Sequence, residues 1–351
     1  MGTEASGTVE PSAGDPRSAR KTPNWNLCEE NKRREGTPKM LFGALLLIVG
    51  IAFVLWGAER FTEGAIRTAR LFALSPFFLG AIVSGLEPEN LVTGLAGAIG
   101  GLPQIALGTV IGAAIFMLTG GLGLALLLVP MEVRIPRAGA LAMAASLVPF
   151  GVALMNDGVV SRAEGALLSS VAIGLMAWLY KRSPAFLRTR EEEESSRRPS
   201  RLSAVGLLVV GVGVMLLGAA LVIQGVKALI GTLGLSETFL GMTVVALGES
   251  LEETARMVTP ARRGHPELAW GNVVGTVVIL LTFNLGAIAL LRPLIADPLI
   301  LRLHVPYLIA CTLLVGGALL AARRLGRGFG VLLLLLYLLY LGLNVPHLFA
   351  R

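Results

Sequence analysis

From Met40 onward the chain returns again and again to stretches of about twenty apolar residues. A stretch of that length spans the roughly 30 Å hydrocarbon core of a bilayer. Ten such runs can be read, at about 40–59, 75–100, 104–130, 136–156, 160–181, 203–226, 237–260, 267–291, 299–321 and 328–348. In lipid every backbone polar group must find a partner within the protein, and runs of this length do so as helices. The expected fold is therefore an all-α polytopic membrane protein with about ten transmembrane helices. Composition agrees: 54% of the 351 residues are hydrophobic and only 15% are charged, against about 25% charged in soluble domains. That argues against a soluble enzyme, a disordered chain and a disulfide scaffold. The two cysteines, Cys28 and Cys311, cannot form a framework.

The net charge of +7 matters less than its placement. Residues 1–39 hold seven Lys/Arg and six Asp/Glu among few large apolar residues, which reads as a disordered N-terminal tail without the apolar core of a signal peptide. Residues 183–202, with Glu191 to Glu194 and several Arg, read as a charged linker. It divides the chain into a first five-helix half, 40–182, and a second, 203–351. Eighteen Lys/Arg fall in the odd-numbered loops and five in the even-numbered loops and C-terminus. This asymmetry is the positive-inside signature. It places the central linker in the cytoplasm and both termini outside, as a multi-pass protein of a prokaryotic inner (plasma) membrane. The expected partners are the lipid bilayer and inorganic cations, with no nucleic acid.

The halves repeat each other. An offset of 163 places Gly85, Gly101, Pro103, Gly108, Gly112 and Gly123 on Gly248, Gly264, Pro266, Gly271, Gly275 and Gly286. Just upstream, at an offset of 161, Leu74, Ser75, Phe78, Leu79 and Gly80 match Leu235, Ser236, Phe239, Leu240 and Gly241. The repeats span about 74–129 and 235–291. Five crossings separate them, so the second copy is inverted relative to the first. Inverted repeats are a transporter architecture, with the site where the copies meet. The Gly108/Gly112 and Gly271/Gly275 pairs are accounted for by close helix packing.

The acids outside tails and loops flank the two glycine breaks: Glu87 and Glu89, with the amide Asn90, in the first copy; Glu249, Glu252 and Glu253 in the second. A charge at the centre of a bilayer costs about 2.5–3.5 kcal/mol on insertion scales. No Lys or Arg is expected near mid-span, since Arg256 lies one turn beyond Glu252 towards the cytoplasmic end. Bound cations, bound protons or a watery cavity must then lower the cost. Glu249 and Glu253, at i,i+4, share a helix face, and Glu87 and Asn90, at i,i+3, can do the same. Oxygen-only ligands suit hard cations such as Ca2+. Without His or Cys at either break, Zn and Cu sites are disfavoured. His265, His304 and His347 are expected to be structural or peripheral.

The two copies resemble the alpha repeats of the sodium/calcium exchanger (cation/Ca2+ antiporter) family. The second copy, Gly248-Glu-Ser-Leu-Glu-Glu253 followed by Gly271-Asn-Val-Val-Gly-Thr276, is similar to the family pattern GTSLPE followed by G-N-x-x-G-S. The first, Gly85-Leu-Glu-Pro-Glu-Asn90 and Gly108-Thr-Val-Ile-Gly112, matches in register. The resemblance covers about 40–350 and implies two inverted five-helix halves and antiport by alternating access. It places the motif glutamate on Glu253 and, in the first copy, on Asn90. The Thr-Ser pair before it becomes Leu86-Glu87 and Glu249-Ser250. The later Ser becomes Ala113 and Thr276, and the acid or amide beyond it becomes Met117 and Leu280. The resemblance therefore implies ion ligands at Glu253, Glu249 and Glu87, neutral oxygens from Asn90, Ser250 and Thr276, and Glu89 and Glu252 as accessory acids. More carboxylates and fewer hydroxyls favour a divalent cation, Ca2+ foremost, exchanged for H+ rather than Na+. No cofactor other than the transported ions is implied, and no enzymatic activity.

Two other readings carry specific signals. Glu252-Glu253-Thr-Ala-Arg256 is similar to the EExxxR motif of intramembrane CAAX-type proteases, one residue short and without a following intramembrane His. Asn90, Ala113, Met117 and Leu280 would also suit a non-transporting scaffold or sensor of the same fold.

Overall fold

A computed structural model describes residues 25–71, 87–133, 137–182, 201–262 and 266–349. Among them the chain forms ten helices: α1 (Trp25–Leu71), α2 (Pro88–Ile99), α3 (Pro103–Leu128), α4 (Arg137–Met155), α5 (Arg162–Arg182), α6 (Arg201–Leu233), α7 (237–262), α8 (266–291), α9 (Ile300–Ala321) and α10 (Arg327–Asn344). Eight are long and apolar enough to cross a membrane; α7 carries a shorter apolar stretch, Glu237–Gly248. The residues that would begin the second run, 72–86, lie outside the described set. The first helix extends upstream of Met40 to Trp25, so the expected tail boundary at residue 39 is not a helix boundary. Pro38 falls within that helix.

The duplication governs the architecture. The segments Pro103–Phe116, Met117–Gly121 and Leu122–Leu128 of α3 lie 163 positions before Pro266–Ile279, Leu280–Asn284 and Leu285–Leu291 of α8. Both helices start on a proline, whose missing N–H has no partner to lose at a first helical position. Both widen into a π turn at the same repeat position, Met117–Gly121 and Leu280–Asn284. In each turn a threonine, Thr119 or Thr282, donates its hydroxyl to the carbonyl four residues back.

Among the described residues four two-residue strands fasten the loops: β1 (Met131–Glu132), β2 (Val159–Val160), β3 (Leu294–Ile295) and β4 (Arg324–Leu325). β1 pairs antiparallel with β4, and β2 with β3. The first pairing joins the α3–α4 loop to the α9–α10 loop, both odd-numbered. The second joins two even-numbered loops. Six helices separate the first pair and four the second, an even number in each case, as loops on a common side require.

The first helices of the two halves, α1 and α6, pack antiparallel, which is the inversion made visible. Gly43, Gly50 and Gly57 of α1 meet Gly225, Gly218 and Gly211 of α6 in reverse order. A β-carbon on Gly50 would stand 2.8 Å from the Gly218 carbonyl oxygen, and one on Gly218 would stand 2.8 Å from that of Gly50. Between the halves, α3 crosses α7 just as closely. A β-carbon on Gly108 would fall 2.3 Å from the Gly241 carbonyl carbon, and one on Gly112 would fall 2.7 Å from the Met242 carbonyl oxygen. This is the packing expected of the first glycine pair; the residues that the repeat would set against the second pair, about Gly80, lie outside the described set.

Burial ranks the helices. The spans of α3 and α8 are 89% and 78% buried, whereas that of α5 is 17% buried. The two repeat-equivalent helices are the core, and the others turn Leu and Val outward. Trp270 is fully buried on α8 and donates its indole N–H to the Glu132 carbonyl. The last helix is lipid-facing on one side only. Leu335, Leu338 and Leu339 are exposed, while Tyr337, Tyr340 and Asn344 are buried.

Candidate functional site

The first carboxylate stands where α2 begins. Glu87 adopts φ 45°, ψ 63° and is the one non-glycine residue with positive φ among the described residues. Left-handed backbone costs a non-glycine residue about 1–3 kcal/mol and persists where the surroundings impose it. Pro88 takes the first helical position, and the Glu87 carbonyl accepts from the Leu91 N–H at 3.0 Å. Glu89 and Asn90 follow in the first turn, at the positive end of the helix dipole, where negative charge is stabilised. Glu87, Glu89 and Asn90 are all buried.

Two helices of the other half face this turn. On α7, Ser250, Glu253 and Arg256 recur every three residues along one face. On α8, Asn272 and Thr276 are four apart. Glu87 Oε2 accepts from Asn90 Nδ2 at 3.1 Å, and Glu87 Oε1 accepts from the Thr276 hydroxyl at 2.9 Å. Glu253 Oε2 accepts from Asn272 Nδ2 at 2.7 Å. One oxygen each of Glu87, Glu89 and Glu253 lies within 4.8 Å of the others, and all three side chains are buried. Two come from the first half and one from the second.

A cation stands among them. Arg256 Nη1 bonds to Glu253 Oε1, lies 3.7 Å from Glu89 Oε1 and lies 4.0 Å from Glu87 Oε1. This corrects the expectation that no basic residue would neutralise the acids. Side chains on a helix lean towards its N-terminus, so Arg256, one turn after Glu253, reaches back along the shared face into the cluster. Glu89 is thereby partnered by a guanidinium. The helix α7 carries Glu249 and Glu252 too, but their side chains lie outside the described set, as does His265.

The shell is rich in oxygen and incompletely satisfied. Among the described residues, Glu89 Oε1 and Oε2, Asn90 Oδ1, Ser250 Oγ and Asn272 Oδ1 have no hydrogen-bond partner. Buried acceptors without donors are costly, and an array of them converging with carboxylates is what a hard cation requires. Sequence reasoning brought Glu87, Asn90, Glu253, Ser250 and Thr276 to this region. It passed over Asn272 and set Arg256 outside the cluster. Asn272 had a signal, the G-N-x-x-G stretch, in which it stands i,i+4 from Thr276 on one helix face. Ala113, Met117 and Leu280, at positions where polar ligands were sought, are buried apolar residues. His304 is engaged elsewhere, its Nδ1 2.9 Å from the Tyr340 hydroxyl.

Comparison with known proteins agrees with this architecture. Residues 42–181 and 203–345 match the family described as sodium/calcium exchanger protein. The chain is 29% identical over 308 residues to the inner membrane protein YrbG of Escherichia coli (strain K12), covering 84% of this chain and 94% of that protein. It is 33% identical over 109 residues to the sodium/calcium exchanger MaX1 of Methanosarcina acetivorans, covering 31% of each. A solved structure of the sodium-calcium exchanger NCX_Mj, soaked with 10 mM Na+ and no Ca2+, superposes with a TM-score of 0.59 at 25% identity, covering 86% of this chain and 99% of that one.

Proposed function

This chain belongs to the sodium/calcium exchanger protein family, and on that premise we propose that it exchanges a divalent cation, Ca2+ foremost, for protons by alternating access. Relatives named sodium/calcium exchangers support cation antiport in general; the choice of ions is the new step. One observation carries it: three buried carboxylates from both halves converge within 4.8 Å. Glu253, Glu87 and Glu89 would hold the ion. Ser250, Asn90, Thr276 and Asn272 would complete or orient an oxygen shell, and the helix that carries Glu249 and Glu252 would add to it. Hydroxyl and amide ligands suited to extra Na+ ions are few, because Ala113, Met117 and Leu280 are apolar and buried. Carboxylates accept protons directly, so the same oxygens can carry H+ back. Relatives named sodium/calcium exchangers make Ca2+ the first ion to test and Na+ the alternative counter-ion.

Alternation would come from one repeat rocking against the other around the shared site. The close glycine contacts of α1 with α6, and of α3 with α7, supply surfaces suited to such sliding. The loop charges favour a cytoplasmic linker, and the name of the E. coli relative favours a bacterial inner membrane. The test is Ca2+ uptake into proteoliposomes driven by a pH gradient. Uptake by the wild type that is lost in Glu253→Gln supports this function. Uptake unchanged by that substitution rejects the site, and absence of uptake under H+, Na+ and K+ gradients rejects the function.

A further inference from the structure

We propose that Asn284, Thr93 and the side-chain oxygen of Asn90 form a second cation station, built of neutral oxygens, on the seam between α2 and α8. It passes the transported ion between the carboxylate cluster and the face of the membrane opposite the central linker. This rests on reading the cluster as a cation antiport site, and it adds residues that lie outside that cluster.

Three contacts set α2 beside α8, running in the same direction. The Thr276 hydroxyl donates to Glu87 Oε1 at 2.9 Å. A β-carbon on Gly94 would lie 2.5 Å from Ile288 Cδ1. Arg292 Nη1 donates to the carbonyls of Ala98 and Ile99 at 2.9 and 3.2 Å. Asn284 stands one turn before Ile288, and Asn90 one turn before Gly94. Residues four apart share a helix face, so both amides belong to the faces that meet, at one level of the seam, and Thr93 adjoins Gly94 there. Beyond this level the seam ends at Arg292, in the loop that β3 joins to the α4–α5 loop.

All three side chains are fully buried. Asn90 Nδ2 donates to Glu87. Asn90 Oδ1, Thr93 Oγ1 and both Oδ1 and Nδ2 of Asn284 have no hydrogen-bond partner among the described residues. Buried amides and hydroxyls left in this way are costly. The turn does not need an amide for its shape, because the 163-residue offset puts Gly121 at the same place in the π turn of α3. Amide and hydroxyl oxygens are ligands for a hard cation that keeps part of its water, and Asn284 Nδ2 can donate to that water. Neutral oxygens hold an ion more loosely than carboxylates do, which suits passage rather than storage. Asn90 joins the two places, its N–H on Glu87 and its oxygen left for the station.

The first test is thiol labelling of the full-length protein in a Cys28→Ser/Cys311→Ser background. Asn284→Cys is expected to react with a small membrane-impermeant methanethiosulfonate added on the side opposite the linker, and saturating Ca2+ is expected to slow the reaction. Leu285→Cys, an equally buried neighbour, is expected to stay unlabelled. Thr93→Cys, a smaller change, is expected to label as Asn284→Cys does and carries the test if the latter does not fold. The second measurement is pH-gradient-driven Ca2+ uptake by Asn284→Leu. Its rate is expected to fall about tenfold, the effect on a barrier of one lost contact to a charged group, with Ca2+ affinity unchanged and the melting temperature not lowered. Absence of labelling in both Asn284→Cys and Thr93→Cys, equal labelling of Leu285→Cys, labelling indifferent to Ca2+, or an unchanged rate in Asn284→Leu overturns the station. A slower Asn284→Leu protein with a lowered melting temperature makes Asn284 a structural residue, and one with a matching loss of Ca2+ affinity makes it a ligand of the cluster; both overturn the station too. A wild type that moves no divalent cation overturns the antiport reading instead, and the contrast between Asn284→Cys and Leu285→Cys then decides whether the seam is open to water.

Discussion

Thr276 and Glu87 stand 189 positions apart and are joined by one hydrogen bond of 2.9 Å, hydroxyl to carboxylate, across the two halves of the chain. A buried hydrogen bond to a charged group is worth about 1.5–3 kcal/mol. Thr276→Val keeps the shape and removes the donor. Its expected effect is a loss of about tenfold to a hundredfold in Ca2+ affinity, read from the concentration dependence of uptake. Thr276→Ser should recover most of that loss, and an unchanged affinity in Thr276→Val would separate Thr276 from the site.

The glycine faces of α1 and α6 make a prediction about stability alone. A β-carbon on Gly218 would lie 2.7 Å from the Val54 amide nitrogen, whereas one on Gly213 of the same helix meets nothing within 4 Å among the described residues. Gly218→Val should lower the melting temperature of the detergent-solubilised protein, with overpacking costs of about 1–3 kcal/mol. Gly213→Ala should leave it unchanged or raise it, since alanine is favoured over glycine in a helix by about 1 kcal/mol. Equal effects from both would mean that the two helices do not meet as described.

The start of α3 is capped from the other half. Glu237 Oε1 accepts from the Gln104 N–H at 2.7 Å and from the Ile105 N–H at 3.4 Å. Gln104 in turn bonds to the Ile295 carbonyl and the Asp297 N–H, and Thr238 donates to Asp297. Removing a helix cap costs about 0.5–2 kcal/mol. Glu237→Ala should therefore lower thermal stability by an amount of that order, while the Ca2+ affinity at the carboxylate cluster stays within about twofold. A large affinity loss without a stability loss would instead make Glu237 a ligand.

A second buried polar pair lies away from the cluster. The Tyr340 hydroxyl sits 2.9 Å from His304 Nδ1 and donates to the Met242 carbonyl at 3.2 Å, within the π turn Leu240–Val245 of α7. Tyr340→Phe strands both partners, and an unsatisfied buried group costs about 1–3 kcal/mol. The expected result is a lower melting temperature. A variant as stable as the wild type would show that this pair does not hold the turn.

Much of this was legible before any coordinates. The 163-residue offset read from Gly and Pro matches reappears in the bounds of α3 and α8, because starting prolines and small-residue faces are local and rigid determinants. Arg256 was placed on the wrong side of the problem. Its sequence position pointed to a loop end, and its long stem brings the charge back by a turn. The α1–α6 contact was missed, although Gly43, Gly50 and Gly57, and Gly211, Gly218 and Gly225, each recur every seven residues. Both helices fall outside the two sequence repeats. Trp270 is of a residue type common at bilayer edges, but its place on α8, one of the two most buried spans, sets it inside the protein.

The most direct test of a single cation site built from both halves is a double-substitution cycle on Glu87 and Glu253, read by Ca2+ binding to purified protein. A carboxylate about 4 Å from a divalent ion in a partly buried site interacts by several kcal/mol. If both hold one ion, Glu87→Gln and Glu253→Gln each weaken binding on the order of a hundredfold or more. The double variant is then little worse than either alone, since the losses of coupled residues do not add. Independent, additive losses, or binding that survives either substitution intact, would contradict one shared site.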